Sequence, residues 1–274
     1  MSRLIYVLPV HNEEKLLVEN VARLTSYLER IAGSEVFLVE NGSQDASWEV
    51  VSRLAERFPP PAPRTASDEP SSRESVPFLG AGKGDGGAVP VRAFREENAG
   101  IGYAYHRGLR EALARFGPSK KWWAVLTAAD LPFGLSDLEA ALVALDRSDS
   151  RILIGSKAHP DSQINRGAKR RVMSSVYRVA RRLALGMNVG DSQGSVFVRL
   201  DLAEGLVPLV EARGFFYSTE LCHFAERAGE TIVELPVVLE ASQRATTVRP
   251  ARDGMTMAKE LWKLRSRDRG KDPT

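Results

Sequence analysis

Three times in the first 130 residues a short apolar run breaks into a turn crowded with polar groups. Residues 4–10 run into His11-Asn12-Glu13-Glu14, residues 36–39 into Glu40-Asn41-Gly42-Ser43-Gln44-Asp45, and residues 122–127 into Ala128-Ala129-Asp130. A continuous apolar run without alternation suits a strand covered on both faces. Helical patterns separate the runs and the turns are short, which is the signature of β-α-β units in a parallel sheet. The carboxyl ends of such strands share one edge, where open α/β sheets bind ligands, so the three turns should converge on one cleft.

The remaining chain extends this scheme. Asn12 is placed to cap a first helix that carries Leu16, Val21, Leu24 and Leu28 to the core and ends by Gly33. A second helix covers about 46–58, and a third strand 91–94 follows a stretch, 59–90, rich in Pro, Gly, Ser and charge. That stretch has too few large apolar residues to order itself and reads as a disordered insertion within one domain. Asn98-Ala99-Gly100-Ile101-Gly102 opens a helix to Phe116, closed by Gly117-Pro118. Further expected elements are a helix at 135–145, a strand at 151–157, a basic amphipathic helix at 168–185 and a strand at 195–198. A helix bearing Glu220 within 215–228, a late strand over 231–238 and a final helix at 254–265 complete the reading. The domain is expected to occupy 1–250, with 251–274 a basic helix and tail.

Composition narrows the function classes. The net charge of +3 demands no nucleic-acid partner, although basic residues cluster at 169–182 and 259–271. The single cysteine, Cys222, forms no internal disulfide, and the four histidines match no metal spacing. The chain enters a strand-like segment at once, so no signal peptide is read, and no apolar run approaches the ~18 residues that span a bilayer. These features point to a cytoplasmic protein, with any membrane contact peripheral.

The three turns also suggest a chemistry. The first two can satisfy a ribose and a base by hydrogen bonding, and a carboxylate in the third can hold a divalent cation. Arg170, Arg171 and the arginines near 244–252 could grip phosphates with paired donors. Together they describe a site for a nucleotide diphosphate with a metal.

On these residues the chain resembles glycosyltransferase family 2. The carrying blocks are residues 8–14, 39–45 and 98–102 with Gly108, then Ala128-Ala129-Asp130-Leu131, Gly155-Ser156-Lys157 and Arg170-Arg171 with Ser174. Asp191-Ser192-Gln193-Gly194, Glu220-Leu221 and residues 234–237 follow in the same order. Order and spacing are most similar to the dolichyl-phosphate and polyprenyl-phosphate mannosyl- or glucosyltransferases. The resemblance implies an α/β GT-A fold, Rossmann-like with a mostly parallel central sheet flanked by helices. It also implies an inverting transferase with Mg2+ or Mn2+, a GDP-mannose or UDP-glucose type donor and a lipid-phosphate acceptor.

By the same resemblance Pro9, Asn12, Glu14, Glu40, Asn41, Asp45, Asn98, Gly102, Ala128 and Ala129 bind the nucleotide sugar. Asp130 and Gln193 hold the metal, and Lys157, Arg171, Ser174, Arg244 and Arg249 meet the acceptor or phosphate. Asp130, Arg170 and Glu220 stand as catalytic candidates. Glu40-Asn41 replaces the usual Asp-Asp, and Ala128 replaces the first acid of Asp-x-Asp. Either Asp130 and Gln193 hold the ion with diphosphate and water, or metal dependence is weakened.

Alternatives stay open at this level. An anionic acceptor needs no general base, whereas a glycan or small-molecule hydroxyl needs one, for which Glu220 is the candidate or else an ordinary surface acid. A nucleotide-sugar-binding protein with activity reduced by Ala128 is the reading from another class. A sugar-phosphate nucleotidyltransferase would need a glycine-rich basic loop after the first strand, and His11-Asn12-Glu13-Glu14 is the wrong chemistry. The helices at 168–185 and 254–265 either present a solvated face or rest on anionic lipid, directly or beside a membrane partner protein.

Overall fold

The computed structural model describes residues 2–60, 88–145, 147–165, 168–240 and 250–269, and only the backbone of 168–172, 250–254 and 269. Strands are β1 (Arg3–Val10), β2 (Glu35–Asn41), β3 (Val91–Glu96), β4 (Trp122–Leu126), β5 (Ile152–Gly155), β6 (Val196–Arg199) and β7 (Val233–Leu235). Helices are α1 (Leu17–Leu28), α2 (Ser47–Arg57), α3 (Ile101–Phe116), α4 (Ser136–Leu145), α5 (Ala168–Leu185), α6 (Leu200–Leu206), α7 (Tyr217–Arg227) and α8 (Pro250–Arg269). The sheet order is β3-β2-β1-β4-β6-β5-β7, parallel except for β6, which runs against both neighbours. Strand order reverses between β1 and β4, and that switch point is where a sheet of this type opens a crevice.

The unbroken apolar runs have a simple cause. In β1, Leu4, Tyr6, Leu8 and Val10 face a core closed by α1, α2 and α4. Ile5 and Val7 face the opposite core, closed by α3, α6, α7 and α8. Successive side chains point to opposite faces, so a strand buried on both sides is apolar at every position. Pro9 has a further effect. Thr127 N–H donates to Val7 O (3.5 Å), so Pro9 is the next residue on that edge, and it has no N–H to offer. β4 leaves the sheet there and turns into Ala128-Ala129-Asp130.

Several expectations change. Asn12 does not cap α1: the helix starts at Leu17 after Leu16, without a side-chain cap, and Asn12 takes a left-handed φ of 55°. α6 had no counterpart in the sequence reading. α8 begins at Pro250 rather than 254, and its Leu261 and Leu264 enter the core shared with α3 and α7. Most of the expected insertion, 61–87, lies outside the described residues. The chain on either side of it meets: Val91 N–H donates to Phe58 O at 2.8 Å, so β3 begins beside the C-terminal end of α2.

α5 has the expected extent, 168–185, but its apolar stripe faces solvent. Met173, Val176, Val179 and Leu183 are 41–77% exposed, while Arg181 is only 1% exposed. Tyr177, Ala180, Ala184 and Leu185 supply the packed face instead. Arg181 is tolerated there because its guanidinium donates to Val189 O and Gly190 O, both at 3.1 Å, and lies over the Tyr177 ring.

Candidate functional site

The turns after β1 and β2 are zipped together by their own side chains. Asn12 Oδ1 accepts from Gln44 N–H (2.8 Å), and Ser43 Oγ accepts from Asn12 N–H (3.1 Å). Glu13 N–H donates to Ser47 Oγ (2.8 Å), Glu14 N–H to Asp45 Oδ2 (3.4 Å), and Ala46 N–H back to Glu14 Oε2 (3.2 Å). Burial pushes the Asp45 carboxyl up, but hydrogen bonds from Ser47 and the Glu14 N–H outweigh it and hold the group below its ordinary range. Glu40 is buried, accepts Ser43 N–H at 2.6 Å and lies 3.5 Å from Arg95. The expected nucleotide contacts Asn12, Glu14, Glu40 and Asp45 therefore build each other's positions. Asn41 is buried with its Oδ1 unpaired among the described residues, and its carbonyl meets His11 Nδ1 at 2.9 Å.

The turn after β4 is tight and strained. Leu131 takes φ 44°, a conformation that costs a buried leucine on the order of 1–2 kcal/mol. Asn20 fixes the turn by donating Nδ2–H to Ala129 O at 3.0 Å. Asp130 makes no hydrogen bond or ion pair among the described residues, yet its charge reaches Tyr105. Burial first, and then that charge, raise the Tyr105 hydroxyl well above the usual tyrosine range. Tyr105, Thr127, Ala128, Phe133, Lys157, Gln193, Phe215 and Ser218 line a cavity of about 190 Å³ beside this turn.

Lys157 projects from the end of β5 into the same cavity. Its Nζ lies 2.6 Å from Asp191 Oδ2, donates to Gln193 O at 2.9 Å and sits 5.3 Å from the centre of the Phe133 ring. Burial raises the Asp191 carboxyl, but the Lys157 charge and hydrogen bonds, with the Gln193 N–H, bring it below its ordinary range. Gln193 Nε2 donates to Phe215 O at 3.3 Å, which leaves its Oε1 as an acceptor at the cavity. Any side chain at Gly194 would overlap Gly155 O, so only glycine lets the 191–194 turn press against β5.

The remaining expected site residues separate into groups. Asn98 is exposed and bonds Glu96 Oε1 at 2.8 Å. Gly102 is required by packing, since an added Cβ would sit 2.5 Å from the Arg213 carbonyl carbon. Ser174 is exposed on α5. Arg170 and Arg171 lie in the first turn of α5 with side chains outside the described ones, and Arg244 and Arg249 lie outside the described residues. Glu220 is a correction. It is 2% exposed, Oε2 accepts from Glu211 N–H (3.0 Å) and Ala212 N–H (2.6 Å), and Oε1 lies 2.5 Å from Arg267. Its oxygens tie the 211–212 segment and α8 together, and it is not among the cavity-lining residues.

A second cleft, of about 250 Å³, is lined by Glu226, Glu230 and Glu234. Each carboxylate has a structural partner: Glu226 accepts the Asn188 and Val189 N–H groups, Glu230 pairs with Arg151, and Glu234 accepts from Gly190 N–H and Ser156 Oγ. These contacts brace the loop that leads into Asp191.

The sequence reading passed over Tyr105, Phe133, Phe215 and Ser218 as lining residues. Only Tyr105 carried a signal, since it stands one helical turn after Ile101, which also lines the cavity. Among the described residues no three His, Cys, Asp or Glu side chains gather as a metal cage. Mg2+ and Mn2+ are commonly held by one or two carboxylates plus substrate phosphates. Asp130 with the Gln193 Oε1 fits such an ion only when a diphosphate supplies further oxygens, because Ala128 brings a methyl where a second acid would help.

No family model matches the chain. Glycosyltransferase AglD of Haloferax volcanii is 29% identical over an alignment of 273 residues that covers 96% of this chain and 38% of AglD. The chain thus spans well under half the length of that relative. Glucosyl-3-phosphoglycerate synthase from Mycobacterium tuberculosis, in complex with Mn2+, UDP-glucose and phosphoglyceric acid, superposes with a TM-score of 0.60. That comparison covers 96% of this chain and 78% of the synthase chain at 17% identity. The same synthase with Mn2+, UDP and phosphoglyceric acid gives a TM-score of 0.59 at 18% identity, over 96% and 76% of the two chains. The fold is GT-A. The expected single α/β layer of seven mostly parallel strands between helices is therefore present in full, with the switch-point cleft of that fold occupied by the residues above.

Proposed function

We propose that the chain is a glycosyltransferase that moves a hexose from a nucleotide-diphosphate sugar to an acceptor that is already anionic, a polyprenyl phosphate-type lipid. The observation that carries the reading is the meeting of two features at the switch point. One is a wall of interlocked strand-end turns suited to a nucleoside; the other is a small cavity lined by Lys157, Gln193 and Ala128, in the turn that carries Asp130, whose carboxylate has no hydrogen bond or ion pair among the described residues. Similarity to AglD and to the synthase, whose complexes hold UDP-glucose, Mn2+ and phosphoglyceric acid, supports the donor and ion classes.

The chemistry follows from charge. The interlocked turns would hold the nucleoside, and Asn41 Oδ1 offers a spare acceptor there. A divalent ion bound by Asp130, Gln193 Oε1 and the diphosphate would neutralise charge on the leaving group. Lys157 adds a fixed positive charge at the same cavity, held by Asp191 so that it is positioned before the ligand arrives. An acceptor phosphate attacks the anomeric carbon without a base, and in-line attack inverts that carbon. The engagement of both Glu220 oxygens supports an acceptor of this kind, since the base a hydroxyl would need is committed elsewhere.

The deciding experiment incubates the protein with UDP-glucose or GDP-mannose, with and without Mn2+, and with a short polyprenyl phosphate. Glycosylated lipid phosphate and free nucleoside diphosphate in equal amounts are expected. Tight donor binding without turnover on any acceptor would leave a nucleotide-sugar-binding protein. A second reading, a small phosphorylated acceptor with a hydroxyl, is favoured by the phosphoglyceric acid in the synthase complexes and is tested with that compound.

A further inference from the structure

α5 has the pattern of a core helix and the placement of a surface one. Its sequence, AKRRVMSSVYRVARRLAL, contains six lysines and arginines and no acid. Val176, Val179 and Leu183 recur at helical spacing and point to solvent, and Arg178 and Arg182 are exposed beside them. Folding gains nothing by exposing this stripe, and the buried Arg181 costs a polar interior that Val189 O and Gly190 O must satisfy. The inner face is tied to the cavity, because Tyr177 Oη meets Thr219 Oγ1 at 3.1 Å and Thr219 Oγ1 meets Ser192 Oγ at 2.9 Å, next to Gln193. The neighbouring α8 also exposes a large side chain, Trp262.

From this arrangement we infer that the outer face of α5 is a docking surface for an anionic lipid bilayer, lying in the interface with its apolar stripe inserted and its arginines against phosphate headgroups. An unpartnered apolar stripe alone would fit a protein as well as a membrane. The charge decides between them: a helix with six cations and no acid in its sequence, two of the cations exposed beside an apolar stripe, matches a negatively charged lipid surface. No helix among the described residues is long and apolar enough to cross a bilayer, so contact through this face would be lateral. The inference rests on the lipid-acceptor reading for its purpose, since it sets the cavity next to the leaflet that would hold the acceptor. Its geometry stands without that reading.

The test is co-sedimentation of the full chain with vesicles of phosphatidylcholine alone or mixed with phosphatidylglycerol, at low and high salt. Binding is expected with the anionic vesicles and should weaken in salt. Charge reversal at Arg178→Glu or Arg182→Glu should weaken it by about fivefold or more per site. The pair Val176→Asp and Leu183→Asp should abolish it, while circular dichroism and transfer to a water-soluble short-chain prenyl phosphate stay at wild-type values. Equal binding of neutral and anionic vesicles, or variants that bind like wild type, would overturn the inference. So would the absence of vesicle binding together with a dimer, seen by sedimentation, that the same variants dissociate. Vesicle binding without transfer to any acceptor would sink the transferase reading and leave the docking surface standing.

Discussion

Lys157 Nζ and Asp191 Oδ2 meet at 2.6 Å, and the same ammonium donates to Gln193 O, so one cation fixes both ends of the Asp191–Gln193 turn. Lys157→Met should leave a largely buried carboxylate without its counter-charge and cost about 1–3 kcal/mol. The Asp191 group is held below its unfolded value, so its contribution is present above about pH 4 and is lost as pH falls through the lower folded value. The difference in urea midpoint between wild type and Lys157→Met should therefore be full at neutral pH and shrink in acid. A gap independent of pH would show that the pair does not set this turn.

Asp130 and Ala128 give opposite predictions at one site. Asp130→Asn removes no hydrogen bond or ion pair among the described residues, so the melting temperature should change little while Mn2+-dependent UDP binding, measured by calorimetry, is lost. Ala128→Asp supplies a second carboxylate and should tighten Mn2+ in the presence of UDP by about tenfold, as one added charged ligand commonly does. Unchanged affinity in both variants would move the ion away from this turn.

Glu220→Gln should destabilise the fold by about 1–3 kcal/mol, because a neutral amide loses the Arg267 pair and can no longer satisfy the Glu211 and Ala212 N–H groups equally. Transfer per folded molecule should persist. A full-length, folded variant with transfer reduced a thousandfold would restore Glu220 as a base.

His106 provides the pH test of the helix layer. Burial first, then the charges of Arg213 and Arg110, lower its pKa to about 4. The unfolded chain therefore takes up the proton first, near pH 6.5, and stability falls as pH drops from about 6.5 towards 4. His106→Gln should flatten that part of the profile in denaturant titrations. A variant that follows the wild-type slope would assign the loss to other groups.

Why some of this was legible and some was not has a physical explanation. Strands buried on both faces leave a run such as residues 4–8 apolar at every position, and the polar turns end them, so the sheet and its ligand edge were readable locally. At α5 the spacing of Val176, Val179 and Leu183 reported that two faces differ, but periodicity does not say which face meets the core. What decides it is the acceptance of the Arg181 donors by Val189 O and Gly190 O, in a loop beyond the end of the helix. Glu220 failed for a similar reason: its partners lie nine residues before it and on α8. α6 is only seven residues long and carries too little pattern to stand out.

The hydrogen bond from Val91 to Phe58 has a practical corollary. β3 begins beside the end of α2 at those two points, so the length of what joins them can be varied with this contact as the readout. A short Gly-Ser bridge there, or a fluorescent domain inserted in its place, should alter loop-closure entropy by only about 0.6 kcal/mol for each doubling of length and leave β2 and β3 paired. A label inserted there would sit ahead of the edge strand β3, where the proposed donor and bilayer binding could be followed by fluorescence rather than by assay.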